Sequence, residues 1–335
     1  MRVFKKLLVG IVALAVLAVA ASGLWLWQGL KTLENPVVLD EPTLFSVEPG
    51  TAFGRVAREL AAQGFVDDPL WLRIHGRLNP EQTLIKAGDY EFTSGMTPVD
   101  MISLMVEGKV KLWSVQFIEG WTFAEMRAAL ARTDRLTRQT TDWTDEEIMA
   151  ALGAEGQHPE GWFFPDTYLF HSGETDLDVL KRAYNIMTGV LEEEWQDREQ
   201  GLPYENAYEA LIMASIVERE TGVAGERQQV AGVFVRRLQK GMRLQTDPTV
   251  IYGMGDKYRG RIGRSDLRTW TPYNTYRIDG LPPTPIALPG RESIHAALHP
   301  DDGDALYFVA RGDGSHKFSR TLAEHQKAVR EFQLN

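Results

Sequence analysis

The sequence predicts an α+β protein carried on a single N-terminal transmembrane helix, with a small α+β module followed by a larger α+β domain. Three observations carry this expectation. Leu7 to Trp27 is a run of 21 residues without a charge, and a helix of that length spans roughly 30 Å, the thickness of a bilayer core. Behind it, short strand-like stretches and amphipathic helical stretches follow one another, bounded by Gly and Pro. The 335 residues are 44% hydrophobic and 24% charged, which is enough for two or three packed domains and excludes a wholly disordered chain.

The apolar run has Arg2, Lys5 and Lys6 on its N-terminal side, which predicts residues 1–6 as a cytoplasmic stub and 7–27 as the spanning segment. Trp25 and Trp27 stand where an interfacial aromatic belt would lie. The competing reading is a cleaved signal peptide, because Ala18-Val19-Ala20 resembles a cleavage site. The run continues past that site, which favours an uncleaved anchor. Either reading places the remainder outside the cytoplasmic membrane. There is no cysteine, so disulfides, thiolate metal sites and a cysteine nucleophile are excluded. The net charge is −10, and four of the 36 basic residues precede the first acidic one, Glu34. An acidic remainder is a poor nucleic-acid binder.

Residues 28–40 read as a linker, with two prolines between Glu34 and Pro42. A module over 41–112 follows. Leu44 to Val47 is its first strand, Glu48-Pro49-Gly50 a turn, and Thr51 a cap for a helix carrying Phe53, Val56, Ala57 and Leu60 on one face. Pro69 to Leu78 is a second helix, Leu84 to Phe92 a strand pair bent at Gly88, and Met101, Leu104 and Met105 mark a third helix closed by Gly108. The pattern Gly50, Phe53, Val56, Leu60, Ala61 recurs as Gly120, Phe123, Met126, Leu130, Ala131. It is either a loose repeat or the common strand–turn–helix with glycine at the turn. The module, from Val47 through Ala61 together with the later strand, resembles a LysM-like glycan-binding unit.

Residues 113–335 hold the chemistry. Thr133 to Glu147 is polar and reads as a loop before a short helix. Tyr204 to Thr221 reads as a helix, with Pro203 at its start and Gly222 at its end. At about 100° per residue, Tyr204, Ala207, Leu211, Ala214 and Ser215 share one stripe with Glu218 in its middle, while Glu205, Glu209 and Glu220 fall on the opposite face as solvated glutamates should, and Met213 and Ile216 break the pattern and predict that this face is partly covered. A carboxyl held against apolar neighbours keeps its proton to higher pH, as a general acid requires. The alternative is a buried ion pair with Arg236 or Arg237. Three further stretches follow: an amphipathic helix leading into Gln245-Thr246-Asp247, Tyr273 to Tyr276 before a proline-rich segment, and a hairpin at Gly312-Asp313-Gly314 with a C-terminal helix. Their Gln, Thr, Asn and Tyr side chains suit sugar hydroxyls and N-acetyl groups, and equally suit ordinary loops.

The ordered motifs GWFFPDTYLF (Gly161 to Phe170, with Glu160 before it), ASIVERET (Ala214 to Thr221), RLQTDPTV (Arg243 to Val250), YNTY (Tyr273 to Tyr276), GLPPTPI (Gly280 to Ile286) and SHKFSRTLAEH (Ser315 to His325) resemble the endolytic murein transglycosylase, or YceG-like, family over essentially the whole chain. Arg236 and Thr284 depart from the residues usual there. The resemblance implies a lytic transglycosylase of peptidoglycan glycan strands, a lyase that needs neither cofactor nor metal. It implies that Glu218 protonates the MurNAc–GlcNAc glycosidic oxygen and then assists attack by the MurNAc C6 hydroxyl, leaving 1,6-anhydroMurNAc ends and terminating strand elongation. On this reading Tyr168, Gln245, Thr246, Asn274 and Tyr276 line the glycan cleft. Asp247 belongs to the same substrate side and mainly fixes its loop. A second carboxylate would make the enzyme a hydrolase, and Asp166 and Asp247 are the spare ones. The resemblance also implies a periplasmic catalytic domain on the inner membrane and partnership with peptidoglycan synthases. The rival readings are a non-catalytic peptidoglycan-binding scaffold and, from the four-residue spacing of His295 and His299, a metal hydrolase.

Overall fold

An uninterrupted apolar run contains nothing to break a helix. In the computed structural model, which describes residues 2–333, helix α1 runs unbroken over Arg2–Lys31. Among the described residues it is the one helix long and apolar enough to cross a membrane, and none of its apolar window is covered by the protein. The chain divides into two compact units, Met1–Trp113 and Ser114–Asn335.

The first unit continues with strand β1 (Thr43–Val47), helices α2 (Phe53–Ala62) and α3 (Pro69–Leu78), strand β2 (Gly88–Phe92) and helix α4 (Pro98–Glu107). Strands β1 and β2 pair antiparallel, Thr43 opposite Phe92 and Val47 opposite Gly88. Alternation along the strands turns Phe45, Val47, Tyr90 and Phe92 inward onto Val56, Leu60, Leu72 and Met101. Of Leu84 to Phe92 only Gly88–Phe92 is strand, a single strand rather than a bent pair. Its partner is β1, and Lys86 instead gives its N–H to Met105. Ala52, not Thr51, precedes the first turn of α2, and it makes no side-chain cap.

The stretch 28–40 is seated against this unit. Gly29 runs so close to Trp71 that a Cβ there would lie 2.1 Å from the indole, the Trp25 and Trp71 rings meet at 4.7 Å, and Leu33 is buried. Val37 bonds Met96 and Gly95 through its backbone, at 2.8 and 2.9 Å.

Strand β3 (Trp113–Gln116) leads into the second unit, which continues with α5 (Phe123–Arg132), α6 (Asp145–Ala151), β4 (Thr167–Phe170) and α7 (Asp176–Gln196). It continues with α8 (Ala207–Glu220), α9 (Arg227–Gln239), α10 (Asp247–Met254) and α11 (Arg291–Leu298). The hairpin β5 (Tyr307–Ala310) and β6 (His316–Ser319) and helix α12 (Leu322–Gln333) complete it. Strand β3 pairs with β4, and β5 pairs antiparallel with β6. The turns before α2 and α5 share a left-handed glycine, Gly50 (φ 78°) and Gly120 (φ 79°).

Helix α8 lies at the centre of the second unit's core, with α7, α9, α10 and α11 against it. Ala210 to Val217 are all buried, so this helix has no solvated face along its middle, and the outer face at Met213 and Ile216 is covered fully rather than in part. It starts at Ala207 because the Asn206 carboxamide accepts the Glu209 N–H at 3.1 Å. Tyr204 precedes the helix and gives its hydroxyl to the Ala297 carbonyl at 3.1 Å. Thr221, extended, ends the helix before Gly222.

Candidate active site

Glu218 stands in the last turn of α8. There it is half-buried rather than enclosed among apolar side chains. Its Oε2 accepts the N–H of Gly290 at 3.0 Å, and Gly290 is the N-cap of α11. The arginines that could have paired with it are engaged elsewhere. Arg236 binds the Asp301 carboxylate at 3.0 Å, and Arg237 donates to the carbonyls of Leu244 and Leu306 at 2.6 and 2.7 Å.

A second carboxylate faces the same glycine. Glu119 lies just before the Gly120 turn. A Cβ added to Gly290 would sit 2.0 Å from Glu119 Oε1. Three bonds hold this turn in place. Gly120 gives its N–H to Leu288 at 2.9 Å, Leu288 gives its own to Trp121 at 2.7 Å, and the Arg219 guanidinium binds the Gly120 carbonyl at 2.9 Å. Partial burial, then the charge of Glu218, push the Glu119 carboxyl up; Arg227 pulls it down and Glu292 adds to the rise. Arg227 reaches Glu119 at 4.0 Å, and its Nε is buried without a hydrogen-bond partner. A half-buried carboxyl on a backbone N–H, with a second carboxyl across one glycine, is equipped to deliver and take up protons.

The sequence-derived cleft residues gather elsewhere. Gln245, Asp247 and Tyr276 line a cavity of about 470 Å3 together with Glu220, Arg237 and His316. Tyr276 donates to Asp247 Oδ1 at 2.7 Å, and Gln245 adopts a left-handed φ of 52°. Thr246 is buried and gives its hydroxyl to Glu220. Glu220, assigned by helix angle to solvent, has its carboxyl pushed up to about 7 by burial. Two positions apart on a helix is a 200° rotation, so Glu218 and Glu220 point to nearly opposite sides of α8. Two more of the expected residues are interior. Asn274 is 1% exposed, with its amide on the carbonyls of Asp266, Leu267 and Thr269. Tyr168 packs on Phe117 and donates to the Phe164 carbonyl at 2.7 Å.

A third desolvated carboxyl is Glu160, which lies in the wall of a cavity of about 890 Å3. It accepts the first N–H of α5, from Phe123, at 2.8 Å and the Tyr252 hydroxyl at 3.0 Å. Burial pushes it up to about 7. Glu194, His295 and His299 bring ligand atoms within 4.8 Å of one another. Glu194 is already bound by Arg291 and His295, each at 2.9 Å, and a guanidinium at that carboxylate opposes a metal cation there.

Sequence reasoning missed Glu119, Glu160 and Glu220. The one available signal was the strand–turn–helix likeness around Gly120, which marks Glu119 as a turn residue beside a backbone bend.

The profile of the YceG-like family matches residues 45–331. The endolytic murein transglycosylase of Bacillus subtilis (strain 168) is 31% identical over 321 residues, covering 90% of this chain and 88% of that protein. The endolytic murein transglycosylase of Streptococcus pneumoniae serotype 2 is 27% identical over 184 residues, which is 51% of this chain and 32% of that protein. The chain thus spans about a third of the streptococcal relative. A crystal structure of a YceG-like protein from Listeria monocytogenes is similar with a TM-score of 0.54 at 28% identity, over 86% of this chain and 99% of that one.

Proposed function

The chain belongs to the YceG-like family, and from that premise we propose that it is an endolytic murein transglycosylase, a lytic enzyme acting on peptidoglycan. The observation that carries the assignment to a site is the Glu218 carboxyl on the Gly290 N–H at 3.0 Å, with a second carboxyl at the same glycine. Glu218 is the acid. It gives its proton to the glycosidic oxygen between MurNAc and GlcNAc as the bond to the anomeric carbon breaks. The MurNAc C6 hydroxyl closes onto that carbon, and the product is a 1,6-anhydroMurNAc end.

Helix α1 is the membrane anchor, and the units behind it work in the periplasm at the inner membrane. The first unit, with its β–α–α–β order and antiparallel strand pair, is read as a LysM-like module that holds glycan. The cavity of Gln245, Asp247 and Tyr276 takes a further stretch of the strand. Buried Thr246 and Asn274 set the loops that shape it, and buried Tyr168 supports β4. An enzyme tethered in this way cuts strands near where synthases extend them, and so limits their length.

The test is mass spectrometry of purified peptidoglycan digested by the protein and by Glu218→Gln. Anhydro ends with the first and none with the second are expected. Reducing ends, heavier by one water, would replace the lytic reading with hydrolysis. Binding without any product would favour the scaffold.

A further inference from the structure

We infer that Glu119 is the base of this reaction: its carboxylate takes the proton of the attacking hydroxyl while Glu218 protonates the leaving oxygen. The inference rests on the reading above, with Glu218 as the acid. The balance is closed. The O–H bond of the C6 hydroxyl breaks toward Glu119, and its oxygen bonds the anomeric carbon. The bond from that carbon to the leaving oxygen breaks, and that oxygen takes the Glu218 proton. Glu119 ends protonated and Glu218 ionised, and solvent resets both.

The geometry fits two carboxyls serving one centre. Glu218 holds the Gly290 N–H at 3.0 Å, and Glu119 occupies the space of a missing Gly290 side chain. Bond lengths through that glycine cap the separation of the two facing oxygens at about 8 Å. Carboxyl pairs of glycosidases lie ~5–9.5 Å apart. The Glu119 side chain is 50% exposed, so substrate can reach it. A surface glutamate has no need of a turn fixed by Leu288 and Arg219. Arg227, with its unpartnered buried Nε, supplies a cation behind the carboxylate. Burial and the ionised Glu218 and Glu292 push the Glu119 carboxyl up while Arg227 pulls it down; when Glu218 holds its proton as the acid, its repulsion is gone, and Glu119 is freer to ionise as the base.

The same carboxylate would activate a water standing in place of the C6 hydroxyl. The choice between anhydro and reducing ends then lies in which hydroxyl reaches Glu119, not in a separate residue.

The experiment compares full-length wild type, Glu119→Gln, Glu119→Asp and Glu218→Gln in detergent, reading kcat/KM against pH on purified glycan strands and Tm for each. Glu119→Gln is expected to lose ~10²–10⁴-fold in rate and to lose the acidic limb of the profile, with Tm kept. Glu119→Asp is expected to recover part of the rate and a limb at shifted pH, which also decides the matter should the glutamine variant misfold. A Glu119→Gln enzyme that keeps the acidic limb, whether at full or reduced rate, overturns the inference while leaving Glu218 as the acid. Inactive wild type, or active Glu218→Gln, removes the underlying reading together with it.

Discussion

Replacing Gly290 by alanine separates the site's geometry from the fold's stability. Gly290 has φ −77° and ψ 168°, an extended conformation open to any residue, so the backbone does not resist the change. The new Cβ would stand 2.0 Å from Glu119 Oε1 and 2.6 Å from its Cδ, against an ordinary contact of 3.4 Å or more. The carboxylate must therefore retreat by about 1.4 Å, which a glutamate does by turning its end into solvent. Loss of glycine's unfolded-state freedom stabilises by ~0.4–1 kcal/mol, and alanine is a poorer N-cap than glycine by ~0.5–1 kcal/mol, so the two offset and Tm should barely move. A reacting group misplaced by ~1 Å costs on the order of 10²-fold in rate. The assay is release of strand ends by mass spectrometry, with kcat and KM for both proteins and a thermal melt. A variant that cleaves within threefold of wild type, with Glu119 displaced, would refute the argument that both carboxyls must meet at this glycine.

Glu160→Gln tests the buried clip on α5. The folded carboxyl titrates at about 7 and the unfolded one at 4.5, so the fold retains its proton longer. That contribution is full below 4.5 and is lost as pH rises to about 7, on the order of 3 kcal/mol. The glutamine variant, which still accepts from Phe123, should melt with a flatter decline in Tm between pH 5 and 7; a decline as steep as wild type would show that Glu160 does not titrate there. Asn274→Ala should cost ~2–3 kcal/mol in chemical unfolding, because its amide carries three carbonyls and its oxygen the Tyr276 N–H. A change in KM alone would place that side chain in contact with substrate. Gly29→Leu should drive Trp71 off α1 and lower stability by ~1–3 kcal/mol, read from Trp fluorescence and Tm. An unchanged melt would mean that the helix and the module are not joined there.

Local chemistry made the elements legible. Pro69 at the first turn, with Asp68 capping ahead of it, marks α3 to the residue, and the glycines at 312 and 314 mark the last hairpin. The site was legible only in part. Helix periodicity singled out Glu218 among the glutamates of α8, yet it sent Glu220 to solvent, because an angle around one axis does not know how many neighbours surround it. Four other helices cover α8, and the Gln245–Asp247 loop closes over Glu220. Glu119 lies some hundred residues before its partner, and backbone bonds to Leu288 bring it there. Main-chain pairing of that kind leaves no side-chain pattern to read.

The joint between α1 and the first unit has a mechanical consequence. Gly29 is locked under Trp71 and Leu33 is buried, six residues or fewer past Trp27, so roughly 9 Å of helix at most separates the end of the apolar run from the seated module. With α1 embedded in a bilayer, the module has no swivel. Tilting or spinning the helix in the lipid tilts or spins residues 34–113 with it, and they are held at one height above the plane in which the helix ends.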